Sequence, residues 1–266
     1  MFEDLFSLKG RVAVVTGGSR GIGKMIAAGF LAHGVARVYI TARKAGPSEA
    51  TAKELTAKYD GECIALGIDI STVEGCEKLA AEIIKREPKL DILVNNAGAA
   101  WGADFDEFPE GGWDKVMDLN VKSLFFLTKA LAKPLRAAAS AERPAKVINI
   151  ASIDGIFVNP TETYSYAASK AAVIHLTRRM ATKLIKEHIN VTAIAPGAFA
   201  SDMNKAARDQ GDVLAKRIPA QRIGTDEDMA GIAIYLASRA GDYVVGNTIA
   251  VDGGVVYANA GLEIAG

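Results

Sequence analysis

Tyr166 and Lys170 stand four residues apart in Tyr166-Ala167-Ala168-Ser169-Lys170, inside a stretch (164–187) that reads as helix. Four residues is about one helical turn, so phenol and ammonium leave the same face. An ammonium beside a phenol favours phenolate and is expected to lower the tyrosine pKa from its ordinary ~10 toward neutrality. Such a tyrosine can give a proton to a carbonyl oxygen or take one from an alcohol. Alone, the pattern fits any exposed helix carrying a Tyr and a Lys, so the rest of the chain has to decide. Tyr164 is a competing phenol, but Ala168 holds the position one turn on, and Tyr164 is expected to line a substrate pocket instead.

The elements that must position this pair begin at the amino terminus. Residues 11–15 are a short apolar, β-rich run of the kind a fully buried parallel strand needs. They lead into Thr16-Gly17-Gly18-Ser19-Arg20-Gly21-Ile22-Gly23 and then a helix-period segment, 22–33. Strand, glycine turn and helix together make a nucleotide-phosphate site: glycines let the backbone approach phosphate, and the helix start offers free N–H groups and a positive dipole end. A second strand covers 38–41. Enzymes that use NAD place an acidic residue about ~20 positions beyond the glycines, to hold the ribose 2′-hydroxyl. This chain has Thr41-Ala42-Arg43-Lys44 there. Arg43, with Arg20, suits a 2′-phosphate, so NADP(H) is the expected cofactor.

Further strands are expected at 63–68, 91–94, 146–150, 191–195 and 247–251, with helices at 47–59, 73–86, 114–139 (kinked at Pro134), 164–187 and 226–237. Asp69-Ile70 ends the third strand, where the carboxylate could accept from an adenine amino group; Asp69 or Ser71 could equally cap the next helix. Asn95-Asn96-Ala97-Gly98 ends the fourth, small enough for close approach to a flat cofactor, with amides able to tie strand ends together. Strands alternating with helices imply an α/β, Rossmann-type doubly wound parallel sheet in a single domain over 1–266. The chemistry-bearing residues fall after strands, where open α/β sheets bind ligands.

Composition narrows the classes. The 266 residues are 50% hydrophobic and 23% charged, and 31 basic residues balance 31 acidic ones. Zero net charge argues against nucleic acid or an anionic membrane as main partner. Cys63 and Cys76 have no metal-like spacing and read as reduced core thiols. His33, His175 and His188 are too scattered to begin a zinc site or a serine-histidine triad, and no metal is expected. No apolar run reaches bilayer length, and residues 1–9 carry Glu3 and Asp4, unlike a secretory signal. A soluble cytoplasmic protein is expected.

Taken in order, Thr16 to Gly23, Asp69, Asn95 to Gly98, Asn120, Ser152, Tyr166 with Lys170, and Pro196-Gly197 resemble the short-chain dehydrogenase/reductase family over nearly the whole chain. The resemblance implies that Tyr166 is the general acid in carbonyl reduction. It implies that Ser152 hydrogen-bonds the substrate oxygen, Lys170 lowers the tyrosine pKa and holds the nicotinamide ribose, and Asn120 holds a water linking Lys170 to solvent. It assigns the cofactor to Gly17, Ser19, Arg20, Gly21, Ile22, Gly23, Arg43, Asp69, Ile70, Asn96, Ala97, Gly98, Tyr166, Lys170, Pro196 and Gly197. Ser152 precedes Tyr166 by 14 positions, about one more than the family spacing, so the loop 153–163 is expected to bulge.

The glycine loop, the segments 99–102 and 112–117, and 138–145 look most like NADPH-dependent 3-oxoacyl reductases, those of rhamnolipid pathways in particular. Such an enzyme reduces the 3-keto group of an acyl thioester. Arg143 fits one basic position used to dock acidic acyl carrier protein, but Glu187 stands where another is wanted, which leaves coenzyme A esters and free ketones open. A sugar or polyol dehydrogenase of the same family is the runner-up, and a non-catalytic nucleotide sensor a remote third. The resemblance also implies a homotetramer. The pocket is expected from 99–101, 153–164 and a lid at 198–222, and the tail after Gly254 could pack across subunits.

Overall fold

A computed structural model of the chain describes residues 2–202 and 204–258. Strand β1 (Val12–Thr16) is followed by α1 (Gly21–Ala32), β2 (Arg37–Ala42), α2 (Ala45–Lys58), β3 (Glu62–Gly67), α3 (Val73–Arg86) and β4 (Ile92–Asn95). The second half runs through α4 (Glu110–Met117), a π-helical segment (Asp118–Lys122), α5 (Ser123–Ala130), α6 (Ala132–Ala138), β5 (Ala145–Ile150) and α7 (Tyr164–Leu184). It closes with β6 (Ile189–Pro196), α8 (Lys205–Asp209), α9 (Gly211–Ala215), α10 (Asp226–Ala237) and β7 (Thr248–Val251). The strands form one seven-stranded sheet in the order β3-β2-β1-β4-β5-β6-β7, every pairing parallel.

The central strands β1, β4, β5 and β6 are buried along their whole length because both faces of the sheet are covered. Along β1, Val12 and Val14 pack with α3, α5 and α7, while Ala13 and Val15 pack with α1, α2 and α10. Alternation with both sets buried is what a parallel sheet between two helical layers requires. No helix among the described residues is long and apolar enough to cross a membrane.

Three details depart from the sequence reading. The expected kinked helix over 114–139 begins four residues earlier and is four consecutive segments: α4, the π-helical segment, α5 and α6. The chain breaks at Leu131, three residues before Pro134, because a proline ring clashes with the carbonyl four residues back, here that of Ala130. Neither Asp69 nor Ser71 caps α3: Thr72 does, accepting from Gly75 N at 3.1 Å, while Asp69 accepts from Ser71 N at 3.0 Å. The stretch 198–222 holds α8 and α9 and closes at its base, where Phe199 bridges Gly224 and Gly224 N donates to Ala198 O at 2.8 Å.

Candidate active site

The carboxyl ends of the strands open into one cavity of about 750 Å³. Its first wall is the glycine loop. Gly17 has φ of +66°, and a Cβ on Gly23 would stand 2.4 Å from Gly17 O and 2.5 Å from Asn96 Nδ2, so only glycine lets α1 start this close to the loop. Thr16 fixes the neighbouring strand end: its hydroxyl accepts from the N–H groups of Asn96 and Ala97, both at 2.9 Å. Asn96 Nδ2 donates back to Thr16 O at 2.8 Å, and Thr51 of α2 donates to Ser19 O at 2.8 Å. The loop is thereby held from two sides with Gly21, Ile22 and Gly23 at the start of α1 lining the cavity, an arrangement suited to pyrophosphate.

Gly17, Ser19, Arg20, Gly21, Ile22, Gly23, Arg43, Asp69, Ile70, Asn96, Ala97, Gly98, Pro196 and Gly197 all line this cavity, as do Ser152, Tyr166 and Lys170. Arg43 is exposed on its rim. Arg20 is turned across the mouth, pairing with Asp202 at 2.6 Å, and Arg208 holds the other oxygen of Asp202 at 2.7 Å. An anion bound by Arg20 therefore meets a competing carboxylate.

At the opposite end Ser152, buried just past the end of β5, and the half-buried Tyr166 of α7 line the same cavity. Ser152 Oγ accepts from Asp154 N at 3.2 Å, which leaves its own proton for the phenol. Lys170 is buried, donates to Ile150 O at 2.8 Å, and sits 5.5 Å from the centre of the Tyr166 ring.

Burial works against the lowering of the tyrosine pKa expected from Lys170. Burial is the largest influence and pushes Tyr166 up to about 12, with the Ser152 hydrogen bond pulling down and the charge of Asp154 pushing up. Lys170 is pushed down to about 8, again by burial, against the opposing pull of Asp154. The cost of taking charge out of water dominates at both groups.

Asn120, in the π-helical segment, lies behind the cavity wall. Its Oδ1 accepts from Ala99 N at 2.8 Å, and Nδ2 donates to Ala99 O at 3.0 Å and to Ser169 Oγ at 2.9 Å. Both amide hydrogens are committed, so the side chain clamps the segment after β4 to α7.

The pocket walls partly follow the expectation: Ala100, Ile153, Asp154, Phe157, Asn159, Thr161 and Thr163 line it, with Phe199, Leu214, Arg217 and Ile218 opposite. Within the loop after Ser152, Val158 is 95% exposed while its neighbours Phe157 and Asn159 line the cavity. Trp101 and Tyr164 do not line the cavity. The Trp101 ring packs on Gly112 and under Lys115. Tyr164 hydrogen-bonds Glu162 and meets the edges of Phe105 and Phe108. Arg143 lies near the amino ends of the strands, 3.6 Å from Asp91, away from the cavity, and Glu187 is paired with Arg136 and Lys183. Sequence reasoning gave no role to Thr16, Asp154 or Asp202. Thr16 was visible as the residue ahead of the glycines and Asp154 as a carboxylate two residues after Ser152, whereas nothing local marks Asp202.

Cys63 and Cys76 are free and buried, and burial pushes their thiols up to about 12 and about 11. Among the described residues no group of three His, Cys, Asp or Glu is placed to hold a metal.

A phosphate-suited glycine loop facing a serine-tyrosine-lysine set across one cavity defines an oxidoreductase of nucleotide-binding α/β type. The family model for short chain dehydrogenase matches residues 11–212, and the chain belongs to that family. A relative from Pseudomonas aeruginosa, the rhamnolipids biosynthesis 3-oxoacyl-[acyl-carrier-protein] reductase, is 48% identical over 94% of this chain and 97% of its own. A 2-dehydro-3-deoxy-D-gluconate 5-dehydrogenase of Dickeya dadantii is 40% identical over 96% and 98%. Among solved structures, the Pseudomonas aeruginosa RhlG/NADP active-site complex superposes with a TM-score of 0.91 at 47% identity, covering 95% of this chain and 99% of that one.

Proposed function

We propose that the chain is an NADPH-dependent carbonyl reductase acting on the 3-keto group of a 3-oxoacyl thioester. The observation that carries this reading is the meeting of Ser152, Tyr166 and Lys170 on one wall of a cavity whose far end carries Arg20 and Arg43 and no carboxylate in the 41–44 segment. When bound, the cofactor supplies the hydride. The glycine loop and the start of α1 would hold its phosphates, Arg43 and Arg20 the 2′-phosphate, and Asp69 and Ile70 the adenine side. Tyr166 gives its phenolic proton to the substrate oxygen, and Ser152 hydrogen-bonds that oxygen as negative charge develops. Lys170, with one N–H on Ile150 O, has two left for the nicotinamide ribose. Asn120 keeps one Oδ1 lone pair for a water on the proton path to Lys170.

Phe157, Phe199, Leu214 and Ile218 give the cavity an apolar side suited to an acyl chain. Asp104, Asp106 and Glu162 lie around Tyr164 of the aromatic cluster, an acidic surface that disfavours an acidic carrier protein, and Arg143 pairs with Asp91 away from the cavity.

A second reading, a sugar-acid dehydrogenase, is favoured by Arg217, a cation on the cavity wall able to hold a substrate carboxylate. The deciding assay is NADPH oxidation with acetoacetyl-coenzyme A, run beside Tyr166→Phe and repeated with NADH. Turnover that needs NADPH and drops about 10²-fold or more in the variant supports the reductase. No turnover of the thioester, with turnover of keto-gluconates that weakens in Arg217→Ala, replaces it with the second reading.

A further inference from the structure

Asp154 sits in the short 3-10 turn Ile153–Gly155 directly after Ser152 and lines the cavity with Tyr166 and Lys170. Two contacts fix it there. Its N–H donates to Ser152 Oγ at 3.2 Å, and the turn lies flush against α7 at Lys170. A Cβ on Gly155 would fall 2.6 Å from the Lys170 carbonyl carbon and 2.7 Å from Ala171 N, so nothing larger than glycine lets the turn approach. Asn159 lines the cavity beside it, and the carboxyl group interacts electrostatically with Lys170 and Tyr166. Other charged groups on the cavity are Arg217 opposite, the Arg20–Asp202 pair at the mouth, and Arg43 and Asp69 toward the glycine loop.

We infer that Asp154 is a positioning residue of the acid–base set: its fixed negative charge keeps the buried Lys170 protonated and Tyr166 a phenol. The inference rests on the carbonyl-reductase reading but not on the thioester. A buried ammonium without a counter-charge gives up its proton readily, and a nearby carboxylate opposes that loss while opposing phenolate formation. The directions agree. Asp154 holds Lys170 up against burial and adds to the rise of Tyr166. Its own carboxyl is pushed up, chiefly by burial, while Asn159 and Lys170 pull it back toward the charged form.

The test compares Asp154→Asn and Asp154→Ser, two neutral replacements, with Asp154→Glu, which keeps the charge. The pH profile of NADPH-dependent reduction should lose activity as pH rises through about 8, where Lys170 deprotonates. In both neutral variants that limb should move acidward by about one pH unit, in the Glu variant it should stay, and NADPH affinity should be unchanged in all three. A limb that is superimposable on the parent's in both neutral variants overturns the inference. A second readout needs no substrate: the ultraviolet change on phenol ionisation, taken as parent minus Tyr166→Phe, should occur at lower pH when Asp154 is Asn. If the parent reduces no carbonyl, the reductase reading fails by itself and this optical titration decides alone, an unmoved phenol counting against Asp154.

Discussion

Lys170 and Tyr166 need opposite things from their surroundings, and burial decides both. The lysine is protonated below about 8 and the tyrosine up to about 12, so reduction, which uses ammonium and phenol, should be level through neutrality and fall above about 8. Oxidation needs phenolate and should rise with pH. Profiles of log kcat/KM in both directions check this, and a reduction rate that climbs through about 8 contradicts it. Arg43 carries the other residue-scale prediction. Replacing it by Glu puts a carboxylate against a 2′-phosphate and removes a charge-assisted hydrogen bond, so KM for NADPH should rise about 10- to 100-fold while KM for NADH falls. Equal effects on both cofactors would place the 2′-phosphate elsewhere.

At the scale of elements, the π-helical segment matters because it puts Asn120 inward, where three hydrogen bonds join it to Ala99 and Ser169. Asn120→Ala leaves the N–H and C=O of Ala99 without these partners and should cost about 2–3 kcal/mol of stability, with a fall in kcat as the wall behind Lys170 loosens. Urea unfolding of the two proteins measures it; coincident curves would mean the clamp contributes nothing. Much at this scale was legible. The glycine loop, the β4 end and α7 are local patterns, with apolar runs broken by small or polar residues. The break at Leu131 was not placed correctly, because a proline acts on the carbonyl four residues back and so disrupts the helix upstream of itself.

For the whole molecule, the two ends of the sheet divide the work. The carboxyl ends carry the cavity, and the amino ends carry ion pairs such as Arg37 with Glu87, whose carboxylate also accepts from the buried Tyr39 hydroxyl at 2.8 Å. Glu87→Ala should cost roughly 2 kcal/mol, since Arg37 is partly exposed and screened but Tyr39 is left without its acceptor. The carboxyl of Glu87 is held below its ordinary range, chiefly by the Arg37 hydrogen bond. Its contribution is therefore present above the unfolded-state value and lost as pH falls, so the two stabilities should converge in acid while activity at neutral pH stays unchanged. Trp113, Phe125 and Ile185 are exposed apolar side chains on α4, α5 and the end of the α7 segment. We expect them to be covered in a homotetramer. Light scattering should give four times the chain mass, and a monomer at micromolar concentration would refute it.

The sequence by itself determined the layered α/β fold, the phosphate loop and the pairing of Tyr166 with Lys170, because each depends on neighbours within a turn or a strand of one another. Only the tertiary structure decided what those groups experience. It turned Arg20 toward Asp202, 182 positions away, moved Tyr164 and Trp101 out of the pocket, and set Arg143 far from it. It also set burial against the expected lowering of the Tyr166 pKa and brought Asp154 onto the same cavity wall. Desolvation depends on everything packed around a group, and charges act through space, so neither can be read from spacing along the chain.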